Sequence, residues 1–159
     1  MTIEHATFAL ILAATIGSGV VGGILFAFSA FLMRAFSQLP PPHGVAVMQR
    51  INVVILSPLF LFVFVGTAVG SLLLGAHAVF HWESTGSAWL LAGAVLYLAG
   101  VMIVTGAGNI PLNTALDRVD ADSVEGARVW KIYLGEWTLW NHVRTIAAIA
   151  AAACFFMAR

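Results

Sequence analysis

Charge is what this sequence has least of. Only 9% of its 159 residues are charged and 61% are hydrophobic, giving a mean hydropathy of +0.98. A typical soluble domain carries about a quarter of its residues as charges. This chain cannot cover its surface with polar groups, so its solvent is lipid. Acids and bases balance to a formal net charge of zero, and lysine occurs once, at Lys131. With no basic run there is no electrostatic footprint for nucleic acid. The single cysteine, Cys154, lies in an apolar run and can form no intrachain disulfide; it reads as a small buried or lipid-facing side chain. A cleavable signal peptide is not expected either. The first apolar stretch is too long for one, and its N-terminal flank, Thr2 to His5, carries acid rather than Lys or Arg.

What the chain does have is four long apolar segments, roughly 6–36, 53–76, 88–106 and 140–158. Each is near or above the roughly 20 residues needed to cross a hydrocarbon core of about 30 Å. The expectation is an all-α, four-helix transmembrane bundle forming one domain over 1–159, without sequence repeats. The connections are short except between the third and fourth segments. There Leu112 to Glu136 holds five acids and three bases and reads as a surface loop plus an amphipathic helix leading into the fourth span. Gly19/Gly23 and Gly66/Gly70 form GxxxG pairs, a spacing that lets membrane helices approach closely. Pro58, inside the second segment, is expected to kink it, and Pro111 to end or bend the third.

Arg34 and Arg50 bracket the first connection, while Arg118, Arg128, Lys131 and Arg144 fall in or beside the third, against only Arg159 elsewhere. By the positive-inside rule both termini are outside and these two connections cytoplasmic, in a multi-pass protein of the cell (inner) membrane. That topology brings polar residues of all four segments to one depth: Ser29 and Arg34; Gln49 and Asn52; Asn109 and Asn113; Asn141, His142, Arg144 and Thr145. Asn109 and Asn113 are four residues apart and Gln49 and Asn52 three, so each pair can share a helix face. A polar pocket at the cytoplasmic mouth of the bundle is the expectation. Interhelical glue, or a belt of Trp137 and Trp140 at headgroup level with Arg144 snorkelling outward, would use the same residues.

The stretch Trp137 to Thr145 concentrates an amide, an imidazole and a guanidinium where such groups are costly, which makes it a functional-site candidate. From Trp140 onward the last segment spans about 28 Å at 1.5 Å per residue, placing Arg144 about 6 Å inside the boundary. At about 100° per residue, Trp130, Tyr133, Trp137, Asn141 and Arg144 share a face continued by Ala148, Ala151 and Ala152. His142 lies about 160° from Arg144, beside Ile146 and Ile149. A distorted helix start, or a neighbouring subunit in a homo-oligomer, is needed to bring His142 into the same pocket.

Gly23 to Met33 (GILFAFSAFLM), Met48 to Asn52 (MQRIN), Gly108 to Asn113 (GNIPLN) and Trp137 to Thr145 (WTLWNHVRT) resemble the anthrone-oxygenase-like family of small four-helix membrane proteins. The GN-x-P-LN and W-x-x-WNHVRT stretches are the most specific, and the resemblance covers nearly the whole chain. It implies the four-helix fold and, through fungal members associated with oxidising anthrones to anthraquinones, a membrane oxygenase working on a hydrophobic aromatic or phenolic compound with molecular oxygen. It also implies that no metal or flavin cofactor is needed.

Such chemistry asks for a base, donors for the enolate oxygen, and an apolar pocket shared by substrate and O₂. His142 is the natural base, since an unperturbed imidazole titrates near pH 6.5. Asn109, Asn113, Asn141 or Arg144 could hold the oxyanion, with Gln49 and Asn52 at the same depth, and Trp137 and Trp140 could stack on a flat substrate. The same pocket without chemistry would make a binding or transport module for a lipid-soluble molecule, and amides serving only to join helices would make a structural subunit. A separate constellation lies at the outer end. His77 and His81 are four apart, and with His5, Glu4 or Glu83 they could bind zinc or copper. His43 reads as a residue of the Pro40–Gly44 turn.

Overall fold

The computed structural model describes residues 3–158, with side chains from residue 5 onward. The side chain of Glu4, proposed with the outer histidines, and Arg159 lie outside the described residues. The described chain is helical, with no strand. Four helices are long and apolar enough to cross a membrane: α1 (His5–Ser37), α3 (Pro58–Phe80), α4 (Ser87–Asp117) and α5 (Val124–Met157). A shorter helix, α2 (Pro41–Val54), connects the first two. The protein is a multi-pass, all-α membrane protein.

Helix lengths explain the shape. At 1.5 Å per residue the 23 residues of α3 span about 35 Å, close to one bilayer core, whereas α1, α4 and α5, with 33, 31 and 34 residues, reach about 46–51 Å. The three long helices therefore overrun the membrane core at one end, and α2 packs among their overhangs. This gives two cores. The larger runs through the bundle and centres on Val21, Leu74, Tyr97, Ala148, Ala151 and Phe155. The smaller lies under α2 and holds Phe28, Met33, Val45, Met48, Leu116, Trp130, Tyr133 and Trp137.

Several local expectations give way to better-satisfied backbones. The second apolar segment does not begin at Val53. Its first residues finish α2, and the chain turns at residues 55–57 before α3 starts. Pro58 therefore does not kink the second span; it occupies the first turn of α3, where its missing N–H has no partner to lose, and the Ser57 hydroxyl caps the helix by accepting from Phe60 N–H. Pro111 does not end α4: the helix runs on through a π-wound stretch, Thr105–Asn109, into the α-wound stretch Ile110–Asp117, with Pro111 in its first turn. The amphipathic segment before the fourth span is the first part of α5 itself, capped by Ser123 at Gly126 N–H.

The two GxxxG pairs are not where helices meet. A Cβ added at Gly19, Gly23 or Gly66 would meet nothing within 4 Å, and one at Gly70 only Leu10 at 3.5 Å. The close approaches fall at other glycines: a Cβ on Gly75 would lie 2.8 Å from that of Ala94, and one on Gly100 2.5 Å from that of Ala147. Gly75 brings α3 against α4 near their connection, and there Gly86, with φ +90°, turns the chain into α4. Further along, the Tyr97 hydroxyl donates to Phe64 C=O at 3.0 Å, joining the two helices at mid-length. Beyond that bond α3 leaves the bundle, and a gap opens between its first turns and the π-wound part of α4.

Candidate functional site

The gap is a cavity of about 590 Å³ between the two cores. Its walls come from α1 (Ile24, Leu25, Phe28), the end of α2 with the following turn (Met48 to Leu56), the first turns of α3 (Phe60 to Val65), α4 (Thr105 to Asp117) and α5 (Trp137, Arg144). Most of that wall is apolar. The polar exceptions are Asn52, Thr105, Asn113, Thr114, Asp117 and Arg144.

Arg144 is the unusual member, because a guanidinium is buried here, 6% exposed, inside a membrane helix. Its partners are all neutral. Nη2 donates to Asn141 Oδ1 at 2.8 Å, Nη1 reaches Thr105 Oγ1 at 3.3 Å, and the guanidinium carbon lies 5.3 Å from the Trp137 ring centroid. Among the described residues no carboxylate pairs with it, and its Nε has no hydrogen bond. A buried charge is normally paired. This one is cradled by an amide, a hydroxyl and a π face, with the cavity before it.

Asn141 fixes the cradle. Its Nδ2 donates to Leu25 C=O and to Ser29 Oγ, both at 2.8 Å, while Ser29 Oγ also lies 3.0 Å from Thr145 Oγ1. The backbone helps, since Ser29 stands in a π-wound stretch of α1 (Phe28–Leu32) and Thr105 in the second of two in α4, Leu98–Ile103 and Thr105–Asn109. A π turn widens the helix by one residue and is often found at functional sites. Here two such turns face Asn141 and Arg144.

An aromatic column forms the neighbouring wall. Trp130, Tyr133 and Trp137 stack along α5 with centroids 5.7 and 5.6 Å apart, and Phe28 meets Trp137 edge-on at 5.6 Å. Asn113 orients the column: its Oδ1 accepts from Tyr133 Oη and from Trp137 Nε1, each at 2.8 Å. Asn52 approaches the same Tyr133 hydroxyl, but its buried Nδ2 makes no hydrogen bond of standard geometry.

The nine candidates from the sequence thus fall into three groups. Arg144, Asn52, Asn113 and Trp137 line the cavity. Asn141, Asn109 and Gln49 tie helices behind it: Asn109 Nδ2 donates to Trp137 C=O at 3.2 Å, and Gln49 Nε2 to Leu116 and Val119 C=O at 2.9 and 3.0 Å, closing the end of α4. His142 and Trp140 stand outside the cavity lining on the exposed side of α5, Trp140 packed over Gly108 and His142 turned away from Arg144 as the helical geometry requires. Arg34, grouped with Ser29 by depth, is exposed. Sequence reasoning passed over Thr105 as a partner of Arg144, although it lies one turn before Asn109. It also missed the aromatic wall of Phe28, Phe60 and Phe64, which looks like any other membrane-helix phenylalanine until α3 splays. At the opposite end, His77 and His81 stack on each other at 4.3 Å, and among the described residues no group of three metal-ligating side chains assembles.

The cradle can hold negative charge in an apolar, partly enclosed space and offers a flat aromatic surface beside it. No functionally curated protein and no solved structure matches the chain. A family model described as anthrone oxygenase matches residues 58–154, which takes in α3, α4 and α5 as far as Cys154, with Asn109, Asn113, Trp137, Asn141 and Arg144. That is more than half of the chain, and the protein belongs to the anthrone oxygenase family.

Proposed function

We propose that this protein is a membrane-embedded oxygenase that oxidises a hydrophobic, anthrone-like aromatic compound in the cavity between α1, α3, α4 and α5. The observation that carries the reading is the buried, uncompensated Arg144 beside Trp137 in an otherwise apolar cavity. Family membership points the same way. An anthrone has a carbonyl conjugated to a weakly acidic methylene. Losing one methylene proton puts the negative charge on the carbonyl oxygen, and a fixed cation at that oxygen stabilises the anion more than the neutral ketone. Thr105 and Asn141 keep the guanidinium in place, so little reorganisation is needed when the charge develops. The rings lie against Trp137 and Phe28.

The electron count closes with oxygen alone. The enolate transfers an electron to O₂, the resulting radical pair joins to form a carbon-bound peroxide, and this takes up a proton. The hydroperoxide then loses the second methylene hydrogen together with hydroxide, as water, leaving the new carbonyl. Anthrone and O₂ thus give anthraquinone and water. The apolar wall favours dissolved O₂ and keeps water from the anion. The methylene proton can leave by way of Asp117, the one carboxylate of the cavity lining, which stands one turn beyond Asn113 on an exposed position. His142, which the sequence offered as the base, lies on the exposed side of α5 outside the lining of this cavity. We place the reaction at the cytoplasmic end of the bundle.

Oxygen uptake by purified protein with an anthrone, measured against the spontaneous rate, tests the reading. Catalysed uptake abolished by Arg144→Gln in a folded protein supports it. Saturable binding without turnover would leave a binding or transport module instead.

A further inference from the structure

Two donors at the cavity make no hydrogen bond of standard geometry: Arg144 Nε on α5, and Asn52 Nδ2 near the end of α2, which only approaches the Tyr133 hydroxyl. Leaving a buried donor unpaired is costly, and more so when it is charged. The chain nevertheless holds both side chains in place, Asn52 beside the Tyr133–Asn113 bond and Arg144 in its neutral cradle. Two unmatched donors, one of them a cation without a carboxylate, are complementary to an anionic oxygen. The space before them is aromatic on one side, with Phe28, Phe60, Phe64 and Trp137. On the other, its rim is formed by Leu56, Leu61, Val65 and Ile110, all apolar and exposed on helices that cross the membrane or on the turn between them. An apolar body can therefore lie toward the lipid while its charged end points inward.

We propose that the cavity is a receptor for a planar aromatic oxyanion, drawn sideways from the bilayer between α3 and the middle of α4. Its charged oxygen is held jointly by Arg144 and Asn52, and its rings lie along Trp137 and Phe28. This deepens the oxygenase reading and rests on it for the identity of the cavity: the site selects the ionised form of its ligand before any reaction with oxygen. It also makes Asn52, which lies outside the family match at residues 58–154, a specificity-determining residue.

Binding of 2-naphthoate and of its uncharged methyl ester to the full chain in zwitterionic nanodiscs tests this without turnover. The expected result is a Kd at least tenfold lower for naphthoate. Arg144→Gln should abolish that preference, and Asn52→Leu should raise the naphthoate Kd severalfold while leaving the ester unchanged. If Arg144→Gln does not fold, Asn52→Leu and the wild-type comparison of the two probes decide the matter. Equal affinity for acid and ester in the wild type, or an unchanged naphthoate Kd in Asn52→Leu, overturns the proposal. Laurate binding as tightly as naphthoate overturns its aromatic part. Anthrone oxidation without selective naphthoate binding would sink this inference and leave the oxygenase standing, whereas selective binding without oxidation would do the reverse.

Discussion

Arg144 donates through Nη2 to Asn141 Oδ1 at 2.8 Å, and the same Asn141 donates through Nδ2 to Leu25 C=O across the bundle. One amide thus joins α1 to α5 and aims the buried cation. The catalytic candidate and the helix-packing candidate are coupled, so damage to the packing reaches the charge.

The first prediction concerns that coupling. Asn141→Ala removes the donor to Leu25 and Ser29 and strips Arg144 Nη2 of its acceptor, leaving Thr105 as the other. Leaving such groups unpaired costs about 1–3 kcal/mol, with interhelical bonds in membranes toward the low end. Reversible unfolding in mixed micelles should show a loss in that range. A folded Asn141→Ala protein should also bind an anionic probe more weakly, because Asn141 positions the guanidinium without lining the cavity.

Pro58 separates two accounts of the second span. A proline inside a helix costs about 3 kcal/mol, and replacing it there with alanine would stabilise the protein strongly. In the first turn of α3 it removes no bond. Pro58→Ala should therefore change stability by less than about 1 kcal/mol. Ser57→Ala should cost about 0.5–2 kcal/mol through loss of the cap to Phe60 N–H. Thermal unfolding of both variants checks the pair.

These examples mark how far the sequence could be read. Four spans, their polar band and the split between Arg144 and His142 around α5 were legible, because apolar length and helical periodicity are local properties. The structure joins Ser29, Asn141 and Arg144, three of the polar residues grouped from the sequence, by hydrogen bonds. What stayed hidden depends on the backbone between helices. Pro58 reads as a kink or as a start according to where α2 ends. The π turns at Phe28–Leu32 and Thr105–Asn109, which set Ser29 and Thr105 against α5, leave no periodic signature. Asn113 could be placed near the tryptophans, but that it would accept from both Tyr133 and Trp137 follows only from the packing of α4 on α5.

The glycines give a third test. Gly100→Ala would set its Cβ 2.5 Å from that of Ala147, forcing α4 and α5 apart, whereas Gly19→Ala meets nothing within 4 Å. Overpacking of this kind costs about 1–3 kcal/mol. Gly19→Ala should be neutral or stabilising by up to about 1 kcal/mol, through helix propensity alone. Unfolding in the same micelles ranks the two, and a large loss at Gly19 would show that its face meets a partner in the assembled state.

The aromatic wall can be probed through Asn113. Tyr133→Phe removes one of the two hydroxyl or indole donors that Asn113 accepts, at a cost of about 0.5–1.5 kcal/mol. The column itself should stay stacked. A folded Tyr133→Phe should keep most of its turnover, whereas Trp137→Ala, which removes the surface beside Arg144, should raise KM more than it lowers kcat. Steady-state kinetics on the two variants reads that difference.

The most direct test of the account is oxygen uptake with an anthrone, comparing the wild-type protein with a folded Arg144→Gln. Removing one oxyanion donor typically lowers kcat about 10²–10³-fold. The account predicts one O₂ consumed per anthrone converted to quinone by the wild type, and a loss of about that size in the variant. Equal rates in the two proteins, or no uptake above the spontaneous reaction in either, would contradict it.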